Sequence, residues 1–246
     1  MSPDLTTDGM LRKRWKIIDG RRCLIKSGTS PYMQEPFNEV IASRLADRLG
    51  IPAVEYMVTE YEGTPCSVCD DFVTKDTELV SAQQVMRSEV HEPGISAYDH
   101  FVSCCSHHGL DIVPFLDRML ALDYIIANGD RHLNNFGILS DPDTLEWLGP
   151  APIYDSGSSL GFDLEPEDIV DQAGESCKLF AEHFGIQMKY VRDLSWVDTG
   201  ELSSGIADAG ELLGSVERYR AKGRDRAIVD LMSSREDDVC VSLRSP

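Results

Sequence analysis

One stretch decides how this sequence is interpreted: Gly129-Asp130-Arg131-His132-Leu133-Asn134-Asn135-Phe136. It places an aspartate, a histidine and an asparagine close together, and four residues separate Asp130 from Asn135. A second acidic residue, Asp155, follows within Ile153-Tyr154-Asp155-Ser156-Gly157. Each of these residues is also common in ordinary turns, so their arrangement along the chain has to decide between a turn and a site of chemistry.

The neighbouring elements place this stretch on a loop. Residues 111–127 carry a broad apolar face at helical spacing, and the stretch follows that helix directly. Residues 136–148 are expected to form a hairpin around Asp141-Pro142-Asp143. A short strand at 151–154 then leads to Asp155. The two aspartates and the asparagine are therefore expected to meet from a loop and a strand end.

The N-terminal part predicts a small antiparallel sheet with one helix. Asp19-Gly20 between two strand-like runs indicates a tight hairpin, because a type I′ turn needs positive φ at both central residues. Pro36 suits a first helical turn, and Gly50 is placed to end that helix. The predicted elements are strands 11–18 and 21–26, a helix at 36–49, and strands 53–60 and 65–73.

Helices dominate the rest of the chain. They are predicted at 82–90, 96–107 and 111–127 and over most of 165–235, with a break near 198–205 and a frayed end over the last ten residues. The sequence therefore predicts an α+β fold of two lobes. The N-terminal lobe covers residues 1–76, and the larger, mainly helical lobe covers residues 77–246, with the loop at 128–136 and the strand end at 153–157.

Composition narrows the classes of protein. The 246 residues include 23 Lys and Arg against 42 Asp and Glu, a formal charge of −19, so direct nucleic-acid binding is not expected. No run of eighteen apolar residues predicts a membrane span, and the N-terminus lacks the plan of a signal peptide, so we expect a cytoplasmic protein. The basic cluster at 12–16 marks either an anion site or a solvated face of the hairpin.

Cysteine usage does not point to a disulfide framework. Seven cysteines are an odd count, and Cys66 and Cys69 have the spacing of metal ligands without a second matching pair. We therefore expect buried free thiols.

The order of the polar residues matches the requirements of phosphoryl transfer from ATP. That reaction needs a cation at the phosphates, oxygen ligands for Mg²⁺ and a carboxylate beside the acceptor hydroxyl. Lys26, at the end of a strand, is the candidate cation, and Glu39 on the next helix is its candidate partner. Asp130 is the candidate carboxylate, with Asn135 and Asp155 as metal ligands.

Further residues complete the predicted site. His132 is grouped with Asp130 in the catalytic set, where it is expected to brace the loop. Thr6-Thr7-Asp8-Gly9 is a small-residue turn suited to phosphates, so Thr7, Asp8 and Gly9 are assigned to the nucleotide. Nucleotide contacts are also assigned to the end of the predicted strand 65–73, at Asp71, Phe72 and Val73.

Residues 128–136 and 153–157 resemble the HipA-like branch of the protein-kinase-like superfamily, which comprises bacterial serine/threonine kinases, several of them toxins of toxin–antitoxin pairs. The resemblance implies a two-lobed protein-kinase-like fold, ATP and Mg²⁺ as cofactors, a protein substrate with a Ser or Thr acceptor, and an antitoxin or other regulatory partner. It gives the roles of catalytic aspartate, metal ligands, ATP-anchoring lysine and its helix partner to Asp130, Asn135 and Asp155, Lys26 and Glu39.

The resemblance runs from about residue 6 to 185 and is closest at 123–161. HipA proteins carry an additional N-terminal subdomain, for which we expect no counterpart here. They also have a glycine-rich phosphate loop, whereas this chain has Thr6-Thr7-Asp8-Gly9-Met10.

Three other functions remain open from the residues. The acceptor of a phosphotransferase with this fold is alternatively a small molecule or a lipid. A nucleotide-binding pseudokinase that acts as a partner-binding module would not need the full set of residues. Metal-dependent hydrolysis by Asp130, His132 and Asp155 would leave Lys26 and Glu39 without a role.

Overall fold

The computed structural model describes residues 13–244. Over this part of the chain, the strands are β1 (Lys13–Ile18), β2 (Arg21–Ser27), β3 (Met57–Tyr61), β4 (Thr64–Asp70), β5 (Glu78–Ser81), β6 (Gly137–Ser140) and β7 (Trp147–Pro150). The helices are α1 (Glu35–Arg48), α2 (Ala82–Arg87), α3 (Ala97–His107), α4 (Val113–Ile125), α5 (Ile169–Gln172), α6 (Phe184–Gln187), α7 (Thr199–Gly214), α8 (Glu217–Arg220) and α9 (Arg224–Arg244), with 3₁₀ turns at Pro166–Asp168 and Met188–Tyr190.

The N-terminal sheet is antiparallel, in the order β1-β2-β4-β3. The predicted hairpin is confirmed, since Asp19 and Gly20 have φ angles of 50° and 79°. The predicted helix is also confirmed as α1, one residue earlier than expected at each end. Val40 of α1 packs with Tyr56 and Cys69, so the helix lies against the sheet.

Two predicted strands have different ends and a third does not form as a regular strand, and these differences matter for the site. β3 begins only at Met57, β4 ends at Asp70, and no regular strand forms at 151–154. Instead, Val54 N donates to the carbonyl of Ile153, and Ile153 N donates to the carbonyl of Pro52, both at 2.9 Å. These bonds replace strand pairing with a direct connection between the N-terminal part and the segment that carries Asp155.

The second sheet pairs β5, β6 and β7 in antiparallel order. The predicted hairpin of β6 and β7 is confirmed, whereas β5 was not predicted. Helix α4 runs through the core, and most of its side chains are buried. It lies inside the predicted range and ends just before the loop at 128–136.

The C-terminal helices differ from the prediction. Residues 199–214 form helix α7 rather than a break, because Asp198 caps its first turn by accepting from Gly200 N and Glu201 N. Helix α9 continues to Arg244, so the predicted frayed end is wrong up to that residue. Residues 173–198 contain only short helical turns. Over the described residues, no helix has both the length and the apolar character needed to cross a membrane.

Gly137 allows β5 and β6 to approach each other. A Cβ added at Gly137 would lie 2.1 Å from the carbonyl oxygen of Val80, which is backbone and cannot move aside. We expect Gly137→Ala to lower the free energy of unfolding by about 3 kcal/mol, as overpacking does. Chemical denaturation measures the loss. Gly185→Ala is the matched control, because no atom lies within 4 Å of its added Cβ; equal stability of the two variants would contradict this explanation.

Candidate active site

The side chain of Arg131 is the buried centre of the loop and is 1% exposed. Its Nε and Nη2 donate to the two carboxylate oxygens of Asp123 on α4, each at 2.8 Å. Its Nη1 donates to the carbonyl oxygens of Asn135 and Tyr154 at 3.1 and 2.5 Å. Its Nη2 also donates to Ser156 Oγ at 3.0 Å. One guanidinium therefore connects the helix, the loop and the segment that carries Asp155.

A second network joins the N-terminal sheet to the segment that carries Asp155. Lys26 Nζ donates to Glu39 Oε1 at 2.6 Å and to Asp155 Oδ1 at 2.8 Å. The other oxygen of Glu39 accepts from Ser156 N at 2.9 Å. The hydroxyl of Tyr56 lies 3.4 Å from Lys26 Nζ and 3.5 Å from Asp155 N. The predicted lysine, helix acid and strand-end aspartate are therefore in one contact network.

The network keeps its ionic groups charged. Burial alone would lower the pKa of Lys26, but Glu39 above all, followed by Tyr56 and Asp155, holds that pKa well above the ordinary lysine value. Burial would likewise raise the pKa of Asp155, but Lys26 and then Lys13 hold it well below the ordinary value. At neutral pH, Lys26 is therefore cationic and Asp155 anionic.

Strand β1 contributes a second lysine. Lys13 and Lys26 are partners in the register of β1 and β2. Lys13 Nζ lies 3.6 Å from Asp155 Oδ2, so the two carboxylate oxygens of Asp155 face two lysines. Lys16, from the same basic cluster, instead lies over the ring of Tyr61. Arg14 also contacts Tyr61, so the described part of the cluster supplies one cation to the site and two to the surface of the sheet.

The predicted loop residues have distinct surroundings. Asp130 Oδ1 accepts a hydrogen bond from Lys178 Nζ, an ion pair that the sequence analysis did not foresee. His132 Nδ1 accepts from Asn134 N at 3.2 Å, and the carbonyl of His132 accepts from Asn135 N at 2.8 Å. These local bonds shape the loop around Asn135, which is almost fully buried.

Asp71, Phe72 and Val73, which follow β4, contact neighbouring residues of the sheet and of the segment that carries Asp155. Asp71 Oδ2 accepts from Arg22 Nη1 at 2.6 Å, and its Oδ1 accepts from Val73 N at 3.1 Å. The ring of Phe72 stacks on that of Tyr154, with 5.2 Å between centroids. The Asp71 carboxylate is thus hydrogen-bonded to Arg22 and Val73, whereas Phe72 packs beside the segment that carries Asp155. The assignment of these residues to the nucleotide stays a prediction. Outside the described residues lie the predicted Thr7, Asp8 and Gly9.

The side chains of Asn135 and Asp155 offer oxygen atoms, the ligands that Mg²⁺ prefers, and their assignment as metal ligands stays a prediction. Arg131 Nη1 fixes both backbones, because it binds the carbonyls of Asn135 and of Tyr154, directly before Asp155. Asp155 has a positive φ of 59°, which is uncommon outside glycine, although aspartate adopts it more readily than most residues. Within residues 13–244, no group of three or more His, Cys, Asp or Glu residues is arranged to hold a metal ion.

Cys66 and Cys69 do not form a shared site. They are three residues apart on β4, and side chains alternate between the faces of a strand, so the two thiols point to opposite faces. Both are buried and free. Burial raises the pKa of Cys69 to about 11, which keeps this thiol protonated.

Sequence reasoning missed several of the residues that hold the site together. Arg131 lies within the quoted stretch but had no assigned role. Its partner Asp123 is an acid among the apolar residues of Met119–Ile125 in the second half of α4, which was a usable signal. Asn38 on α1 donates through Nδ2 to the carbonyls of Gly157 and Ser159 at 2.8 and 2.7 Å. No spacing pattern marked Asn38, because its partners are more than a hundred residues away.

The N-terminal part is a small sheet with one helix, and it is joined to a mainly helical lobe that carries the loop of Asp130 and Asn135. This combination is that of a two-lobed kinase-like protein. The family described as HipA-like C-terminal domain matches residues 9–218, so the chain belongs to that family. This confirms the resemblance and the predicted α+β fold.

Two similar proteins illustrate the family: a kinase named CtkA and a HipA protein. Serine/threonine-protein kinase CtkA of Helicobacter pylori is 27% identical over 136 residues, which cover 52% of this chain and 42% of that relative. The chain thus matches less than half the length of this curated relative. The crystal structure of CtkA, described as a proinflammatory kinase, superposes with a TM-score of 0.62 at 17% identity, covering 93% of this chain and 95% of CtkA.

A second solved structure contains HipA. HipA of Shewanella oneidensis, solved with HipB and operator DNA, gives a TM-score of 0.52 at 15% identity, covering 100% of this chain and 61% of the other. At these identities, both structural likenesses concern the fold.

Arg131 is expected to determine both stability and the arrangement of the loop. Arg131→Ala would leave Asp123 as a buried carboxylate without its cation, a change that typically costs about 3–5 kcal/mol. Chemical denaturation should show this loss. Arg220→Ala removes an ion pair whose side chains are both more than 60% exposed, and it should leave stability close to that of the parent. A similar small effect for both variants would contradict the role assigned to Arg131.

The depressed pKa of Asp155 predicts a dependence of stability on pH. The ion pairs of Asp155 stabilise the fold above the ordinary aspartate pKa of about 4, and this stability is lost as pH falls below that value toward the lower pKa of the folded state. Lys13→Met removes one of the two lysines, so we expect a smaller loss of unfolding free energy between neutral and acid pH. Denaturation at a series of pH values measures this.

Lys16→Met is the control for this experiment, because Lys16 lies over Tyr61. It should lose stability with pH as the parent does. The assignment of Lys13 to Asp155 fails if Lys13→Met and Lys16→Met follow the same curve.

Proposed function

We propose that this protein is an ATP- and Mg²⁺-dependent phosphotransferase that transfers the γ-phosphate to a serine or threonine hydroxyl of a protein. The observation that carries the proposal is the contact of Lys26 with both Glu39 and Asp155. A lysine paired with a helix acid, next to an aspartate that can hold Mg²⁺, is the arrangement by which kinases position ATP phosphates.

Each residue has a role in this proposal. Lys26 binds the α- and β-phosphates, and Glu39 keeps its ammonium directed toward them. Asn135 and Asp155 would hold Mg²⁺, which neutralises charge on the phosphates when bound. Asp130 accepts or orients the proton of the acceptor hydroxyl. Lys13, on the other oxygen of Asp155, is placed to contribute positive charge at the phosphates.

The acceptor and the partner are the finer part of the proposal. A protein hydroxyl is favoured because the chain belongs to the HipA-like C-terminal domain family and a relative is named a serine/threonine-protein kinase. The HipA neighbour was solved with HipB, so an antitoxin-like regulatory partner is part of the same proposal. Direct nucleic-acid binding is not proposed, because the chain carries a formal charge of −19.

Phosphate transfer from labelled ATP tests the proposal. Purified protein with ATP and Mg²⁺ should label itself or an added protein, and mass spectrometry of the product should find phosphoserine or phosphothreonine. Asp130→Asn should slow the labelling by at least about 100-fold, the usual contribution of a general base. Chelation of Mg²⁺ should stop the labelling.

Asp143→Asn is the matched control, because Asp143 is an exposed aspartate in the turn between β6 and β7. It should label as the parent does. Labelling by Asp130→Asn at the rate of the parent would remove Asp130 from the mechanism. Nucleotide binding without any transfer would instead make the protein a pseudokinase.

A further inference from the structure

A positive side chain stands beside the proposed catalytic base. Lys178 Nζ donates to Asp130 Oδ1. The side chains of Lys178 and Asp130 are 65% and 40% exposed, so the pair faces solvent rather than the core. An acceptor that approaches Asp130 therefore meets the Lys178 ammonium as well.

The position of Lys178 is set by its backbone. The residues on either side, Cys177 and Leu179, are both buried, which directs the lysine side chain outward. Cys177 N donates to the carbonyl of Glu182 at 3.0 Å. The carbonyl of Ser176 lies so close to Gly129 that a Cβ there would be 2.7 Å from its oxygen.

This arrangement is more than a surface ion pair. An exposed pair contributes little energy and would not hold two chain segments together. Here the segment of Lys178 is packed on the catalytic loop through Ser176 and Gly129, and through the side chain of Phe180, whose ring lies 6.2 Å from that of Phe136. The packing of residues 176–180 on the loop therefore places Lys178 beside Asp130.

The other cations near the loop are already engaged. Lys26 and Lys13 lie on Asp155, and Arg131 is saturated by Asp123 and backbone carbonyls. In the described part of the chain, Lys178 is the cation in contact with Asp130. The catalytic loop has no lysine of its own.

We propose that Lys178 is a further catalytic residue that contacts the transferred γ-phosphoryl group from the acceptor side. This inference rests on the proposed function. In the reaction, the acceptor oxygen forms a bond to the γ-phosphorus, the bond to the β–γ bridging oxygen breaks, the hydroxyl proton passes to Asp130, and ADP leaves. The Lys178 ammonium stabilises the negative charge on the equatorial oxygens of the transition state.

Kinetics of three variants test the role. Lys178→Ala should lower kcat about 100-fold, as loss of one donor to a developing charge does, and should raise the KM for ATP about tenfold through loss of the contact with the γ-phosphate. Lys178→Arg, which keeps the charge, should recover part of kcat. Lys189→Ala removes an exposed lysine of the same lobe and should match the parent. An unchanged kcat for Lys178→Ala overturns the proposal, and so does an increase, which would make Lys178 an inhibitory latch on Asp130.

A binding measurement separates this inference from the proposed function. Calorimetry with Mg²⁺ gives the affinities for ATP and ADP. Loss of a contact with the γ-phosphate should lower the ratio of ATP affinity to ADP affinity about tenfold in Lys178→Ala. If the parent binds ATP without transferring phosphate, the proposed function fails. In that case, a lower ratio of ATP to ADP affinity in Lys178→Ala still supports the contact of Lys178 with the γ-phosphate. An unchanged ratio overturns the role of Lys178. Absence of nucleotide binding by the parent overturns both.

Discussion

The ion pair of Arg131 and Asp123 is the interaction on which the site depends. Both side chains are buried, and burial of two charges is tolerated only when their hydrogen bonds are satisfied. The guanidinium meets this condition by also binding the carbonyls of Asn135 and Tyr154 and the hydroxyl of Ser156. The requirement to satisfy one buried cation thereby fixes the loop and the segment that carries Asp155 against helix α4.

The N-terminal lobe is coupled to this arrangement through α1. Glu39 accepts from Lys26 with one carboxylate oxygen and from Ser156 N with the other, so the same acid contacts both the sheet and the segment that carries Asp155. Asn38, one residue earlier, binds two carbonyls of the following segment. Displacement of α1 would leave these buried polar groups without partners, which is costly. The position of the helix and the geometry at Asp155 are therefore linked.

Local charge at the site opposes the charge of the whole chain. The formal charge is −19, yet the aspartates at the site are met by lysines from three separate parts of the sequence: Lys13, Lys26 and Lys178. Attraction of an anionic nucleotide depends on the nearby cations, because salt screens more distant exposed charges. An acidic surface and a site for phosphates are thus compatible in one protein.

The amino-acid sequence was enough to predict the kinds of groups and their order: the hairpin at Asp19-Gly20, helix α1, the loop after α4, and the residues Lys26, Glu39, Asp130, Asn135 and Asp155. These follow from local signals, since turn chemistry and helical spacing act over a few residues. Only the tertiary structure decided that Arg131 is an internal connector, that Lys13 reaches Asp155 and that Lys178 reaches Asp130. Lys178 lies 48 residues from Asp130 along the chain, and contacts over such separations are set by packing, which leaves no periodic trace in the sequence.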